Sequence, residues 1–276
     1  MSVPQHQYIA YLSENQFYQF TLNMDYALIG TPLTHSFSEK YFTTKFKDIQ
    51  QNLVYKAVPL QNIQQLNTFI ESQPNLKGFN VTIPFKVEIL PHLHELDFQA
   101  QAVGAVNCVS IQRNSLHPKQ VRLKGYNTDV DGFRNSLTPL LKSNHQQALI
   151  LGDGGAAKAV KHALSQLNIP FKVVARHKIG SEQYEYQELT QQIIEQHSII
   201  INTTPLGTFP AIDTCPDIPY TFLTPKHLLY DLVYNPVETE FLRRGKVKGA
   251  LTKNGYEMLI LQAECSWDIW NANPLV

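Results

Sequence analysis

The chain has 276 residues, enough for two domains of ordinary size or one large one. Its 43% hydrophobic and 17% charged residues describe a soluble globular protein, and 23 basic against 23 acidic side chains leave no basic stripe for nucleic acid. No apolar run reaches the roughly 18 residues of a membrane span, and Cys108, Cys215 and Cys265, an odd set without metal-ligand spacing, point to free thiols, a reducing cytoplasmic setting and no bound metal.

Residues 1–23 are polar and aromatic and lack the basic start and apolar stretch of a secretory signal. They are expected to be an N-terminal extension without fixed structure, or an upstream start. Strands and helices then alternate. Tyr26–Gly30 reads as a strand, Ser36–Asp48 as a helix, Leu53–Val58 as a strand, Ile63–Glu71 as a helix and Gly78–Ile83 as a strand. Pro84 favours a helix start, which would set Lys86 in the positive end of a helix dipole. A lysine placed there has reason to release its proton more easily, although a solvated surface lysine fits the same stretch. Ala105–Ile111 and Arg122–Tyr126 read as strands around a polar loop, and Asp129–Leu141 as a helix.

A second series follows. Ala148–Leu151 is an apolar strand running into glycines; Val160–Leu167 reads as a helix and Phe171–Ala175 as a strand. Ser198–Asn202, Leu228–Leu232 and Gly249–Leu251 read as strands, and Gly255–Trp270 as a closing helix. The alternation predicts an α/β chain with parallel sheets and a domain boundary near residues 127–147.

Gly152-Asp153-Gly154-Gly155-Ala156-Ala157 follows a strand and opens a helix, the context of a dinucleotide fingerprint. Gly152 permits the tight turn, Gly154 lets backbone approach a pyrophosphate, and the helix start offers amide donors. An ordinary βα turn is the plainer reading. The next strand ends in Ala175-Arg176-His177-Lys178, where an NAD enzyme usually carries an acid for the ribose 2′-hydroxyl. A guanidinium there suits a 2′-phosphate, so the pattern favours NADP, with a basic surface turn as the alternative.

Four polar clusters stand at element ends. Ser36 and Ser38 at a helix start can donate to an anion or simply cap the helix. Asn80 and Thr82 alternate on one strand face. Asn107 closes Gly104-Ala-Val-Asn107, and Asp129 lies in Tyr126-Asn127-Thr128-Asp129, as a helix cap or as an acid/base partner of Lys86.

In chain order the motifs are Gly30-x-Pro32-x-x-His35-Ser36-x-Ser38, Asn80-Val-Thr82-x-Pro84-x-Lys86, Gly104-Ala-Val-Asn107, Asn127-Thr128-Asp129 and Gly152-x-Gly154-Gly155-Ala156. Asn202-Thr203-Thr204-Pro205-x-Gly207, Tyr230-Asp231-x-x-Tyr234 and Gly255-x-x-Met258-Leu-x-x-Gln262-Ala complete them. This order resembles the shikimate dehydrogenase family, from about Tyr26 to the last helix. The resemblance implies an open α/β substrate domain over residues 24–126 and an NADP-binding Rossmann-type domain over 127–254. A cleft would lie between them, with helix 255–276 packed back on the first. It implies NADPH-dependent, reversible reduction of 3-dehydroshikimate to shikimate on the route to chorismate and aromatic amino acids, in a cytoplasmic monomer or homodimer.

Position by position, the resemblance implies that Ser36 and Ser38 bind the substrate carboxylate. Thr82, Asn107, Asp129 and Gln262 hold ring hydroxyls and the reacting oxygen, and Tyr234 approaches the carboxylate side. Lys86 with Asp129 is the catalytic pair. Gly152, Asp153, Gly154, Gly155 and Ala156 cradle the pyrophosphate, Arg176 meets the 2′-phosphate, and Thr203, Val233, Gly255 and Met258 border the nicotinamide. Four positions depart from the family pattern: Glu39 replaces a common proline, Asp153 a small apolar residue, Ala175 an asparagine and His177 a threonine; a second arginine is missing. The rival readings are a quinate/shikimate dehydrogenase with relaxed cofactor use and a noncatalytic dinucleotide sensor.

Overall fold

The computed structural model describes residues 23–33, 37–114, 120–177, 179–181 and 183–272. The expected extension up to residue 22, Ser36 and Lys178 lie outside the described residues. The chain forms two compact units; one ends at Tyr126 and resumes at Ser266, and the other spans Asn127–Cys265.

The first unit runs β1 (Tyr26–Gly30), α1 (Phe37–Asp48), β2 (Tyr55–Pro59), α2 (Leu66–Ser72), β3 (Gly78–Val81), α3 (Phe85–Glu88), β4 (Glu95–Leu96), α4 (Phe98–Val103), β5 (Cys108–Arg113) and β6 (Val121–Tyr126). Its sheet has the order β2-β1-β3-β5-β6-β4. β1 pairs parallel with β2 and β3, whereas β5 is antiparallel to both β3 and β6. The sheet is thus mixed, not parallel as the alternation suggests. β5 and β6 follow one another with no helix between them, and only a crossover element lets successive strands run parallel.

All five residues of β1 are buried, as a strand covered on both faces requires. The ring of Tyr26 stacks on Trp270 at 4.5 Å, and Trp270 Nε1 donates to the Val109 carbonyl at 3.0 Å. Gly78 lies beneath that indole; a Cβ there would come within 2.3 Å of Trp270 Nε1. Glu39, the unexpected acid at the start of α1, has a structural task. β2 is an edge strand, and Glu39 accepts from the outward Ala57 amide at 3.1 Å while pairing with Lys56. That contact satisfies a donor the sheet leaves over.

The second unit runs α5 (Thr128–Leu137), β7 (Ala148–Leu151), α6 (Gly155–Gln166), β8 (Phe171–Ala175), β9 (Gln183–Glu185), α7 (Gln191–Gln196), β10 (Ile199–Asn202), β11 (Leu228–Asp231), α8 (Glu240–Val247), β12 (Leu251–Lys253) and α9 (Tyr256–Asn271). Helix α9 gives its residues up to Cys265 to this unit and those from Ser266 to the first. The sheet order is β12-β11-β10-β7-β8-β9, every pair parallel. This is the doubly wound arrangement of dinucleotide-binding domains, and its order reverses between β7 and β10. The central strands Ala148–Leu151, Ile199–Asn202 and Leu228–Asp231 are buried throughout, as their largely apolar runs foretell, with Asn202 and Asp231 as buried polar ends of the last two.

Several helices differ from expectation, among them α5, which ends at Leu137 rather than Leu141. α6 begins at Gly155 rather than Val160, because its first turn of glycine and alanines carries no apolar period yet meets no steric bar to helix. α3 is a single turn with Pro84 as its N-cap residue, so few peptide dipoles add up there and the helix-dipole argument for Lys86 lapses. Sequence reading also passed over α4, α7 and α8; the signals for α8 were Thr239, which accepts from the Leu242 amide, and Glu240 in the first turn.

Candidate active site

In the first unit one end of the sheet gathers the polar residues. The C-terminal ends of β1 and β3 lie side by side: the Thr82 amide donates to Ile29, and the Thr31 amide to Ile83. Gly30 has no room for a side chain, since a Cβ would lie 2.4 Å from the Thr82 methyl. β5 starts at that same end because it runs antiparallel to β3, with Asn80 opposite Cys108. This brings Asn107 there, its carbonyl accepting from the Val81 amide at 2.8 Å. The Lys86 carbonyl accepts from the Val106 amide at 2.8 Å, which pins the lysine's turn next to Asn107. Lys86 and Thr82 are half-buried and Asn107 is buried.

Behind these residues runs a buried polar chain. Asn80 Nδ2 donates to the Asn107 carbonyl at 3.1 Å and to Ser266 Oγ at 2.9 Å, so its Oδ1 faces Tyr55 and accepts from that hydroxyl at 2.9 Å. Tyr55 is also hydrogen-bonded to Ser38, and burial pushes its phenol well above the ordinary range. Ser38, in the first turn of α1, is thereby tied to the floor formed by β2 and β3. Tyr55 was not among the expected site residues; its even spacing with Ala57 along a strand resembles ordinary core.

In the second unit β7 ends in the glycine turn at the switch point. Gly152 has φ +98°, a conformation that favours glycine, and its amide donates to Val174. A Cβ on Gly152 would approach Thr204 Cγ2 at 2.8 Å and Thr203 Oγ1 at 3.1 Å. Thr203 stands at the end of β10 and its hydroxyl donates to the Leu151 carbonyl at 2.8 Å. Gly154 and Gly155 have the opposite surroundings: a Cβ on either would meet nothing within 4 Å. The start of the twelve-residue helix α6 is therefore an open cradle, lined by Gly154, Gly155 and the exposed Ala156, without a capping side chain. Such a helix N-terminus fits a pyrophosphate, and the residues present suit a dinucleotide. Asp153 does not face that cradle unpaired: Lys161 forms an ion pair with its carboxylate. Arg176 and His177 are exposed just past β8.

The remaining predicted residues cluster around β11 and α9. Gly255 lies against the turn after β11; a Cβ there would be 2.1 Å from the Leu232 carbonyl oxygen, and the Gly255 amide donates to Val233 at 3.1 Å. Val233 is buried and Tyr234 exposed. α5 crosses α9 closely at Gly132, where a Cβ would meet the Met258 carbonyl at 2.7 Å and Gln262 Cβ at 3.0 Å. That crossing sets the first turn of α5, with Asp129, beside Gln262, whose Oε1 faces Thr128 Oγ1 at 3.5 Å. Asp129 is the second residue of α5, where a carboxylate suits the helix dipole, and Asn127 rather than Asp129 is the N-cap residue. Lys86 belongs to the first unit and Asp129 to the second.

Two buried residues that sequence reading left without a role join these segments. Asp231 Oδ1 accepts from Asn202 Nδ2 at 2.9 Å and from the Val233 amide at 3.0 Å, and its Oδ2 from Thr239 Oγ1 at 2.5 Å. Asn202 Oδ1 in turn accepts from the Thr204 amide and hydroxyl. Burial raises the Asp231 carboxyl to about 6, against the lowering effect of its three donors. Among the described residues no group of three or more His, Cys, Asp or Glu could hold a metal, and no helix is long and apolar enough to cross a membrane.

The family model for the shikimate dehydrogenase substrate binding domain matches residues 28–109. A curated relative from Desulforamulus reducens, named shikimate dehydrogenase (NADP(+)), is 34% identical over 270 residues, covering 88% of each chain. A crystal structure of a shikimate dehydrogenase in complex with NADP+ superposes with a TM-score of 0.76 at 32% identity over 91% of both chains. The enzyme from Thermus thermophilus, in complex with NADP(H) and shikimate, gives a TM-score of 0.75 at 26% identity, covering 92% of this chain and 95% of that one.

Proposed function

The chain belongs to the shikimate dehydrogenase family, and on that footing we propose that it catalyses the reversible, NADP-linked reduction of 3-dehydroshikimate to shikimate. One observation supports the substrate half above all: Thr82, Lys86, Asn107 and the Tyr55-linked Ser38 converge on one end of the first sheet. Ser36, outside the described residues, and Ser38 would bind the carboxylate. Thr82, Asn107, Asp129 and Gln262 would hold the hydroxyls and the reacting oxygen, and Tyr234 would approach the carboxylate side.

NADPH, when bound, supplies the hydride that reduces the ring ketone. The chain's own work is to hold the ketone and to move one proton. Lys86 gives that proton to the oxygen as its negative charge develops, and takes it back in the reverse direction. Asp129 is its partner carboxylate and orients the exchange. Gly152, Asp153, Gly154, Gly155 and Ala156 form the phosphate turn, Arg176 is the cation for the 2′-phosphate, and Thr203, Val233, Gly255 and Met258 border the nicotinamide. A reducing, cytoplasmic setting is the expected one. Monomer or homodimer is the expected form.

The test is a four-way steady-state assay, shikimate and quinate each with NADP and NAD. Shikimate with NADP should give the highest kcat/KM. Comparable rates with quinate or NAD would favour the broader enzyme, and no turnover with any pair would leave a cofactor-binding protein without this activity.

A further inference from the structure

Asp153 is the residue of the glycine turn that a phosphate site has least use for, an acid where anions are expected. Its carboxylate is engaged at both oxygens. One pairs with Lys161 of α6. The other accepts from Gln183 Nε2 at 2.8 Å. The Gln183 side chain is used at its far end too, where Oε1 accepts from the Ile179 amide at 2.7 Å. Gln183 opens β9 and lies in register with Val173 of β8. The segment that leaves β8 with Arg176 and His177 therefore returns at Gln183. A two-link tie runs from the glycine turn through Gln183 to Ile179, three residues past Arg176.

We propose that Asp153 is a positioning residue for cofactor choice: through Gln183 it fixes the segment after β8, and with it the place of Arg176 against a nucleotide 2′-phosphate. Lys161 cancels the charge that would otherwise repel the pyrophosphate, so the acid is kept for its hydrogen bond. This inference rests on the proposed use of NADP. Simple repulsion and positioning differ in what they do to the two cofactors. The pyrophosphate is common to both, so a change of charge at residue 153 shifts both affinities together. Loss of the tie affects only the cofactor that carries the 2′-phosphate.

The experiment is a fluorescence titration of NADPH and of NADH with the full-length protein, alongside melting temperatures. Asp153→Ala and Gln183→Ala should each lower the ratio of NADPH to NADH affinity by about tenfold, or ~1.4 kcal/mol. Asp153→Asn keeps an acceptor for Gln183; it should move both dissociation constants together and preserve the ratio. Melting temperatures should stay close to wild type, which separates the effect from general loosening. An unchanged ratio in both alanine variants overturns the positioning role. Equal affinity of the wild type for the two cofactors overturns the NADP reading itself.

Discussion

Two side chains have proposed roles that single substitutions test directly. Lys86 is half-buried and its turn is anchored to residue 106. Replacing it with alanine should lower kcat by ~10²-fold or more, the usual scale for a positioned acid, with a smaller change in KM. A near-normal kcat in steady-state assays would remove it from the proton path. Arg176 offers a planar, always-charged fork beyond β8. Arg176→Ala should raise KM for NADP by about tenfold and leave NAD nearly untouched. An equal loss for both cofactors would assign Arg176 to the pyrophosphate or to folding instead.

Single elements show why similar residues have different work. Gly154 and Gly255 are both glycines of the expected cofactor site, yet a Cβ meets open space at the first and a carbonyl oxygen at 2.1 Å at the second. Gly154→Ala should leave the melting temperature close to wild type and weaken cofactor binding. Gly255→Ala must displace the turn after β11 and should cost roughly 1–3 kcal/mol of stability in denaturant titration. Similar stability in the two variants would count against this packing. The Asp231 clamp belongs to the same scale, because it joins the ends of β10 and β11 to the start of α8. Its folded carboxyl titrates near 6 against an ordinary value of 3.8, so the folded state holds the proton more tightly than the unfolded one. The stability linked to that proton is complete below the unfolded value and is lost as pH rises through the folded one. The melting temperature of wild type minus that of Asp231→Asn should therefore fall between about pH 4 and about pH 7, the span of the two titrations. A flat difference would mean that Asp231 titrates alike in both states, and one that rises with pH would mean that its three donors outweigh its burial.

Across the whole molecule the last helix, α9, serves both compact units. Its C-terminal part supplies Ser266 to the Asn80 network and Trp270 to the stack on Tyr26. Trp270 is nearly fully buried and hydrogen-bonded. Trp270→Ala should destabilise the protein by roughly 3–5 kcal/mol, the range for emptying a large core site. Circular dichroism melts would check this, and a loss under 1 kcal/mol, about the net value of one hydrogen bond, would show that the indole is not structural.

The amino-acid pattern was sufficient for the α/β class and for the strands Ala148–Leu151, Ile199–Asn202 and Leu228–Asp231, because strands buried on both faces are built mainly from apolar residues. It also showed the turn at Gly152, because a left-handed residue at a strand end leaves a glycine in the sequence. Three features had no local signature. The direction of β5 depends on which strand it meets, and alternation carries no record of that. Tyr55 and Asn80 acquire a shared role only when separate strands bring a hydroxyl and an amide within 2.9 Å. The Asp153–Gln183 bond joins residues thirty positions apart, so the tie that answers the oddest residue of the glycine turn existed only after β8 and β9 had paired. Periodicity reports which face of an element is buried, while hydrogen-bond partners across the sheet are chosen by the fold.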